Sequence, residues 1–122
     1  MLVDSIILKA NKNFSNSIST WAISNCNDLR QLTNKELDIT TIDSLLIFTQ
    51  NQILTQDISD NRAQFDKLQK PILHIDINGT LAVGISNLEL WIERNKCRSI
   101  LILGADELVS NVNLERFLNS IN

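Results

Sequence analysis

The sequence predicts an α/β fold, a three-layer Rossmann-like domain with a mostly parallel sheet of about four strands. Three observations predict it. Ser44-Leu45-Leu46-Ile47-Phe48-Thr49 and Ser99-Ile100-Leu101-Ile102-Leu103 are near-continuous apolar runs, the pattern of strands covered on both faces. Strand-like and helix-like segments alternate from end to end, the order of βαβ crossovers. With 3 Gly and 1 Pro in 122 residues, a turn-dense all-β sandwich is poorly supported. This length fits a single domain, residues 1–122.

The elements follow in order. Ser5-Ile6-Ile7-Leu8-Lys9 reads as the first strand. Phe14, Ile18, Trp21, Ala22, Cys26, Leu29 and Leu32 recur mostly at spacings of three and four and line a helical face. Asn13 or Ser15 is the expected cap. The stripe can break at Ser24-Asn25-Cys26-Asn27-Asp28 and resume as a second helix. Ser44–Thr49 is the second strand. Leu54, Ile58, Phe65 and Leu68 mark a helix that ends before Pro71, as proline requires. Pro71 to Ile77 is the third strand, and Ser99 to Leu103, closed by Gly104, is the fourth. Between them Leu88, Trp91 and Ile92 share a helical face, opened by Ser86 or Asn87 with Ile85 just outside. Leu114, Phe117, Leu118 and Ile121 mark the last helix, with Asn113 as candidate cap.

Composition narrows the function classes. Eleven Lys plus Arg against 14 Asp plus Glu leave a net charge of −3 and a pI near 5.0, which argues against a nucleic-acid partner. No Tyr, 2 Trp and 4 Phe argue against an aromatic base-stacking platform. No apolar run approaches the roughly 18 residues of a membrane helix, so no membrane partner is expected. Met1-Leu2-Val3-Asp4-Ser5 lacks the basic region of a signal peptide. Cys26 and Cys97 match no metal or redox spacing. They are expected to be reduced, as in a cytoplasmic protein. A homo-oligomer is compatible with all of this.

Chemistry in such a sheet belongs beyond the carboxyl ends of the strands. After the first strand, Lys9-Ala10-Asn11-Lys12-Asn13 runs into a helix start, where free N–H groups and two lysines suit an anion. An exposed polar loop is the plainer reading. After the second strand, Thr49, Asn51 and Thr55 offer hydroxyl and amide groups, and Thr55 or Asp57 also reads as a helix cap. After the third, Asp76 precedes Asn78-Gly79-Thr80 and reads either as a ligand to a ribose hydroxyl or a metal-bound water, or as a turn or cap residue. After the fourth, Gly104-Ala105-Asp106-Glu107 carries two acids that would repel an anion. His74 is the only histidine, and its place between Leu73 and Ile75 reads as a packed or hydrogen-bonded structural role. No metal-ligand cluster and no catalytic residue are marked, so the chain reads as a non-enzyme.

The chain resembles the molybdenum carrier family, of the lysine-decarboxylase-like and DNA-processing-like Rossmann-like group. The residues that carry the resemblance are Leu68-Gln69-Lys70-Pro71-Ile72-Leu73-His74-Ile75-Asp76, Trp91-Ile92-Glu93-Arg94-Asn95 with Ile100 to Ala105, Leu114 to Leu118, Thr41 to Phe48 and Trp21-Ala22-Ile23. The resemblance implies a Rossmann-like fold and a molybdenum cofactor-like or nucleotide-like anion at the strand ends. The family's Gly-Gly-Gln-Thr-Gly loop corresponds to Lys9-Ala10-Asn11-Lys12-Asn13, and its Gly-Gly-Thr loop to Asn51-Gln52-Ile53-Leu54-Thr55. Gly104-Ala105-Asp106-Glu107 stands where the family has Ala-Gly-Pro-Arg. By its residues the chain is a degenerate member that lacks the glycine loops.

The expected function is a small binding protein with an anionic ligand held by Lys9, Asn11, Lys12, Ser15, Thr49, Asn51, Thr55, Asp76 and Gly104. The alternative is a domain that has lost the ligand and serves as a protein-interaction or assembly module. A second alternative, a small nucleotide-cleaving enzyme, needs an acid–base pair that the sequence does not name.

Overall fold

The structure, a computed structural model, describes residues 2–121. Its strands are β1 (Val3–Lys9), β2 (Cys26–Leu32), β3 (Ser44–Thr49), β4 (Ile72–Asp76) and β5 (Ser99–Gly104). Its helices are α1 (Asn13–Ser24), α2 (Gln56–Lys67), α3 (Leu81–Asn95) and α4 (Val112–Ser120). The strands form one sheet in the order β2-β1-β5-β3-β4, and every neighbouring pair is parallel.

The apolar runs have the cause expected of them. Ile6 and Leu8 of β1, Leu46 and Phe48 of β3, and Ile100 and Ile102 of β5 pack on one side with residues of α1, α3 and α4. The residues that alternate with them, Ile7, Leu45, Ile47, Leu101 and Leu103, pack on the other side with Ile58 and Phe65 of α2. Alternate side chains of one strand thus enter two different cores, so neither can be polar. Phe48 links α1 and α4 within the first of these cores: its ring centroid lies 6.1 Å from that of Phe14 and 5.5 Å from that of Phe117.

Three sequence expectations need correction. The stripe through Cys26, Leu29 and Leu32 is not helical: α1 stops at Ser24, and Cys26–Leu32 is an edge strand paired with β1. The sheet therefore has five strands. The helix of Leu88 begins at Leu81, earlier than Ser86, and Gly84 lies within it. A Cβ there would come within 3.0 Å of the Phe117 ring, so this glycine lets α3 approach α4. Leu88 is fully buried, while Trp91 and Ile92 are only partly buried against the same core. Finally, His74 is neither packed nor hydrogen-bonded to a described partner. It lies exposed on the edge strand β4, its pKa lowered by partial desolvation and by the nearby charge of Arg62.

The β2–β3 connection crosses the sheet without an α-helix. Ile42 packs into the α2-side core, with Leu37 and Ile39 against it. Lys70 fastens the crossing by donating from Nζ to the carbonyls of Ile39 and Ile42. Asp43 Oδ2 accepts the N–H groups of Arg98 at 2.9 Å and Ser99 at 3.1 Å, which sets the start of β5 beside β3. Both cysteines are free and buried, and burial raises both thiol pKa values.

Candidate functional site

The strand order places a switch point at the carboxyl ends of β1, β5 and β3. From β1 the chain leaves to β2 at one edge, and from β3 it leaves to β4 at the other. Such a reversal opens a crevice between departing loops. A cleft of about 250 Å³ lies there, lined by Lys9, Lys12, Ser15, Thr55, Asp57, Gly104, Asp106 and Glu107 among others.

Of the sequence-named site residues, Lys9, Lys12, Ser15, Thr55 and Gly104 meet in this cleft. Asn11, Thr49, Asn51 and Asp76 do not line it. Lys9 ends β1, and its side chain is 7% exposed. Its Nζ donates to Asp57 Oδ2 at 2.8 Å, and the Asp57 side chain is 48% exposed. Asp57 lies in the first turn of α2, whose cap is Thr55, as expected: the Thr55 hydroxyl accepts the Ile58 N–H at 3.3 Å. A buried ammonium is costly without an anionic partner, and Asp57 supplies one.

The start of α1 differs from the expectation. Lys12 is its N-cap residue and makes no side-chain cap. Neither Asn13 nor Ser15 caps the helix, and the Phe14 N–H instead donates to Asp106 Oδ1 at 3.0 Å. A carboxylate from the loop after β5 thus sits on a helix N-terminus, where both the free N–H groups and the dipole favour negative charge. Asp57 and Asp106 are the residues that sequence reasoning undervalued, one as a cap and the other as a repelling acid. Their pairings span 48 and 92 residues, so no local pattern reports them. Gly104 serves packing: a Cβ there would stand 2.4 Å from the Phe14 ring.

Asn51 and Asp76 belong to a second group at the same edge. Asp76 Oδ1 accepts the N–H of Asn51 at 3.2 Å and of Asn78 at 2.9 Å. The Asn78 carboxamide donates to Asn51 Oδ1 at 3.1 Å and accepts from Asn111 at 2.9 Å and Asn113 at 3.2 Å. Asn111 also donates to Gln50 at 3.1 Å, and its Oδ1, not that of Asn113, caps α4. Thr49 is buried, and its carbonyl accepts the Ile77 N–H at 2.9 Å. Asn11 is exposed.

Three non-glycine residues in these loops have left-handed backbone. Asn11, Asn51 and Gln52 have φ of 63°, 55° and 60°, in the left-handed region that glycine enters most easily and Asn next. The loops after β1 and β3 thus turn through left-handed corners built without glycine.

Among the described residues, no group of three or more His, Cys, Asp or Glu could hold a metal ion. No helix there is long and apolar enough to cross a membrane. Neither a protein-family model nor a curated protein matches the chain. Among solved structures it is similar to a crystal structure, at 1.45 Å resolution, of a "putative molybdenum carrier protein" from Syntrophus aciditrophicus SB. The two share 14% identity with a TM-score of 0.74, over 98% of this chain and 94% of the other. At that identity the likeness establishes the Rossmann-like fold.

Proposed function

We propose that this chain is a small non-enzymatic binding protein whose site is the cleft at the carboxyl ends of β1 and β5. Its ligand is a compact oxyanion, or the oxyanion group of a larger molecule. The observation that carries this reading is Lys9: a buried lysine brings its ammonium to the cleft, and its partner Asp57 is half exposed. An anion can take the place of that carboxylate at little cost in desolvation, because the lysine is already dehydrated. Lys12, exposed at the rim, adds a second positive charge.

An extended polyanion such as a molybdenum cofactor-like or nucleotide-like molecule fits these residues poorly. The cleft's volume of about 250 Å³ lies below the roughly 300–1,000 Å³ usual for small-molecule sites. Its two lysines face the three carboxylates of Asp57, Asp106 and Glu107, and Phe14 fills the space beside Gly104 where a ligand would meet the backbone.

The test is thermal unfolding with molybdate, phosphate, sulfate, pterins and nucleotides at matched ionic strength. A compact oxyanion at about 100 times its dissociation constant should add about 2.7 kcal/mol. Lys9→Met, which keeps the buried stem, should abolish the gain. An unchanged gain in that variant would reject the site. The reading as an interaction module that has lost its ligand draws on one observation, the Asp106 carboxylate seated on the N-terminus of α1. It predicts no gain from any anion.

A further inference from the structure

We infer that Asp57 and Asp106 are built-in competitors for the cleft's ligand: two tethered carboxylates occupy the groups that an oxyanion would use, so binding proceeds by exchange. The inference rests on the binding reading above and concerns what sets its strength. The two contacts are independent of each other in origin. Asp57 comes from the first turn of α2 and holds the buried Lys9 Nζ at 2.8 Å. Asp106 comes from the loop after β5 and holds the Phe14 N–H at 3.0 Å. Both border one cleft. A carboxylate has the charge and acceptor geometry of an oxyanion edge and is held by the same donors. It is also covalently tethered, so it competes at a high effective concentration.

Exchange has a chemical consequence. An arriving anion must break both contacts and must also meet the displaced carboxylates, together with Glu107, at the rim. Affinity is then set by the difference between the ligand's contacts and those of Asp57 and Asp106, not by the number of donors present. Compact dianions gain most, since they put more charge on Lys9 and the helix end than one carboxylate does. Neutral and monoanionic ligands gain little. The native chain is a weak binder with a stronger site beneath it.

The experiment uses inorganic phosphate and molybdate as probes, with the native chain, Asp57→Asn, Asp106→Asn and the double variant, at constant ionic strength set with chloride. Asparagine keeps shape and an acceptor oxygen, so the Phe14 N–H retains a partner in Asp106→Asn. Affinity is read from the amide resonance of Phe14 and from the ligand-dependent rise in unfolding temperature. The double variant should bind about tenfold or more tightly than the native chain. Asp57→Asn leaves Lys9 buried without its anion, so it should lose stability without ligand and recover it with phosphate, more than with chloride. Equal affinities in native and double-variant chains would overturn the inference and leave the binding reading standing. Absence of binding in all four chains would overturn both. If the double variant does not fold, the two single variants decide: the inference fails if neither binds more tightly than the native chain and phosphate does not rescue Asp57→Asn.

Discussion

The carboxyl edge of the sheet is closed in two different ways. Between β1 and β5, Lys9, Asp57, Asp106 and Glu107 surround an open cleft, and its contacts join opposite charges or a charge and a helix end. Beyond β3 and β4, Gln50, Asn51, Asn78, Asn111 and Asn113 are joined amide to amide, with Asp76 the single carboxylate. Ion-paired donors can be claimed by a dissolved ion, and neutral amides have little to offer one. The charged half is therefore the half suited to exchange with solutes, and the amide half is a fastening for loops. Gly104 and Phe14 tie the charged half to the core, and Asn111 ties the amide half to α4.

The largest effect is expected where the halves share support. Phe48 is fully buried between Phe14, at the cleft, and Phe117 of α4. Phe48→Ala should cost about 3–5 kcal/mol in denaturant unfolding and shift amide resonances in both halves. A loss confined to one half would mean that they do not share a core. Next comes Gly104→Ala. Its Cβ would meet three Phe14 ring atoms between 2.4 and 2.7 Å, and Phe14 is itself enclosed. Overpacking of this kind costs about 1–3 kcal/mol. The change should disturb the cleft and spare the amide group, and Phe14→Leu in the same chain should recover part of the loss.

These contrasts were legible in the sequence only in part. Ser44–Thr49 matches the observed strand residue for residue, because Leu45 to Phe48 are covered on both faces and form an unbroken apolar run. Cys26–Leu32 was not legible: this edge strand buries only Cys26 and half-buries Leu29 and Leu32, and these three fall three apart, as in a helix. Lys9, Lys12 and Thr55 were legible because their positions after strands are local facts. The partners Asp57 and Asp106 were not, since only the sheet order brings residues 48 and 92 positions apart together. The acids that looked like a reason against an anion are the groups that hold the Lys9 ammonium and the Phe14 N–H of α1.

A smaller effect separates the two halves by salt. Asn111→Ala removes the α4 cap and two amide bonds, and Asp106→Ala removes the carboxylate on α1. Each should cost about 1 kcal/mol. Between about 0.05 and 0.5 M chloride the Asp106 effect should shrink, since dipole and charge contacts are screened, and the Asn111 effect should not. Unfolding curves at the two concentrations measure this, and equal salt dependence would erase the distinction between a charged and a neutral half.

The smallest effect concerns the turn after β3, which belongs to the amide half. Asn51 and Gln52 both have left-handed φ, and the Ile53 N–H donates to the Gln50 carbonyl at 3.3 Å across them. Asparagine tolerates this region, and glutamine, with no short side chain to bond its own backbone, does so less well. The strain at Gln52 is about 1–2 kcal/mol on the cost of left-handed backbone. Replacing it by glycine removes the strain but adds about 0.5–1 kcal/mol of backbone freedom to the unfolded chain. Gln52→Gly should therefore stabilise the protein by about 0.5–1 kcal/mol, read as a raised denaturation midpoint. Gln52 makes no side-chain hydrogen bond to a described residue and its side chain is exposed, so nothing else is lost. Asn51→Gly has a different sign: it relieves less strain and removes the acceptor of the Asn78 carboxamide, so it should be neutral or destabilising. If Gln52→Gly destabilised the chain and Asn51→Gly did not, the turn would be held by Gln52 rather than strained at it, and the amide half would have to be redrawn around that residue.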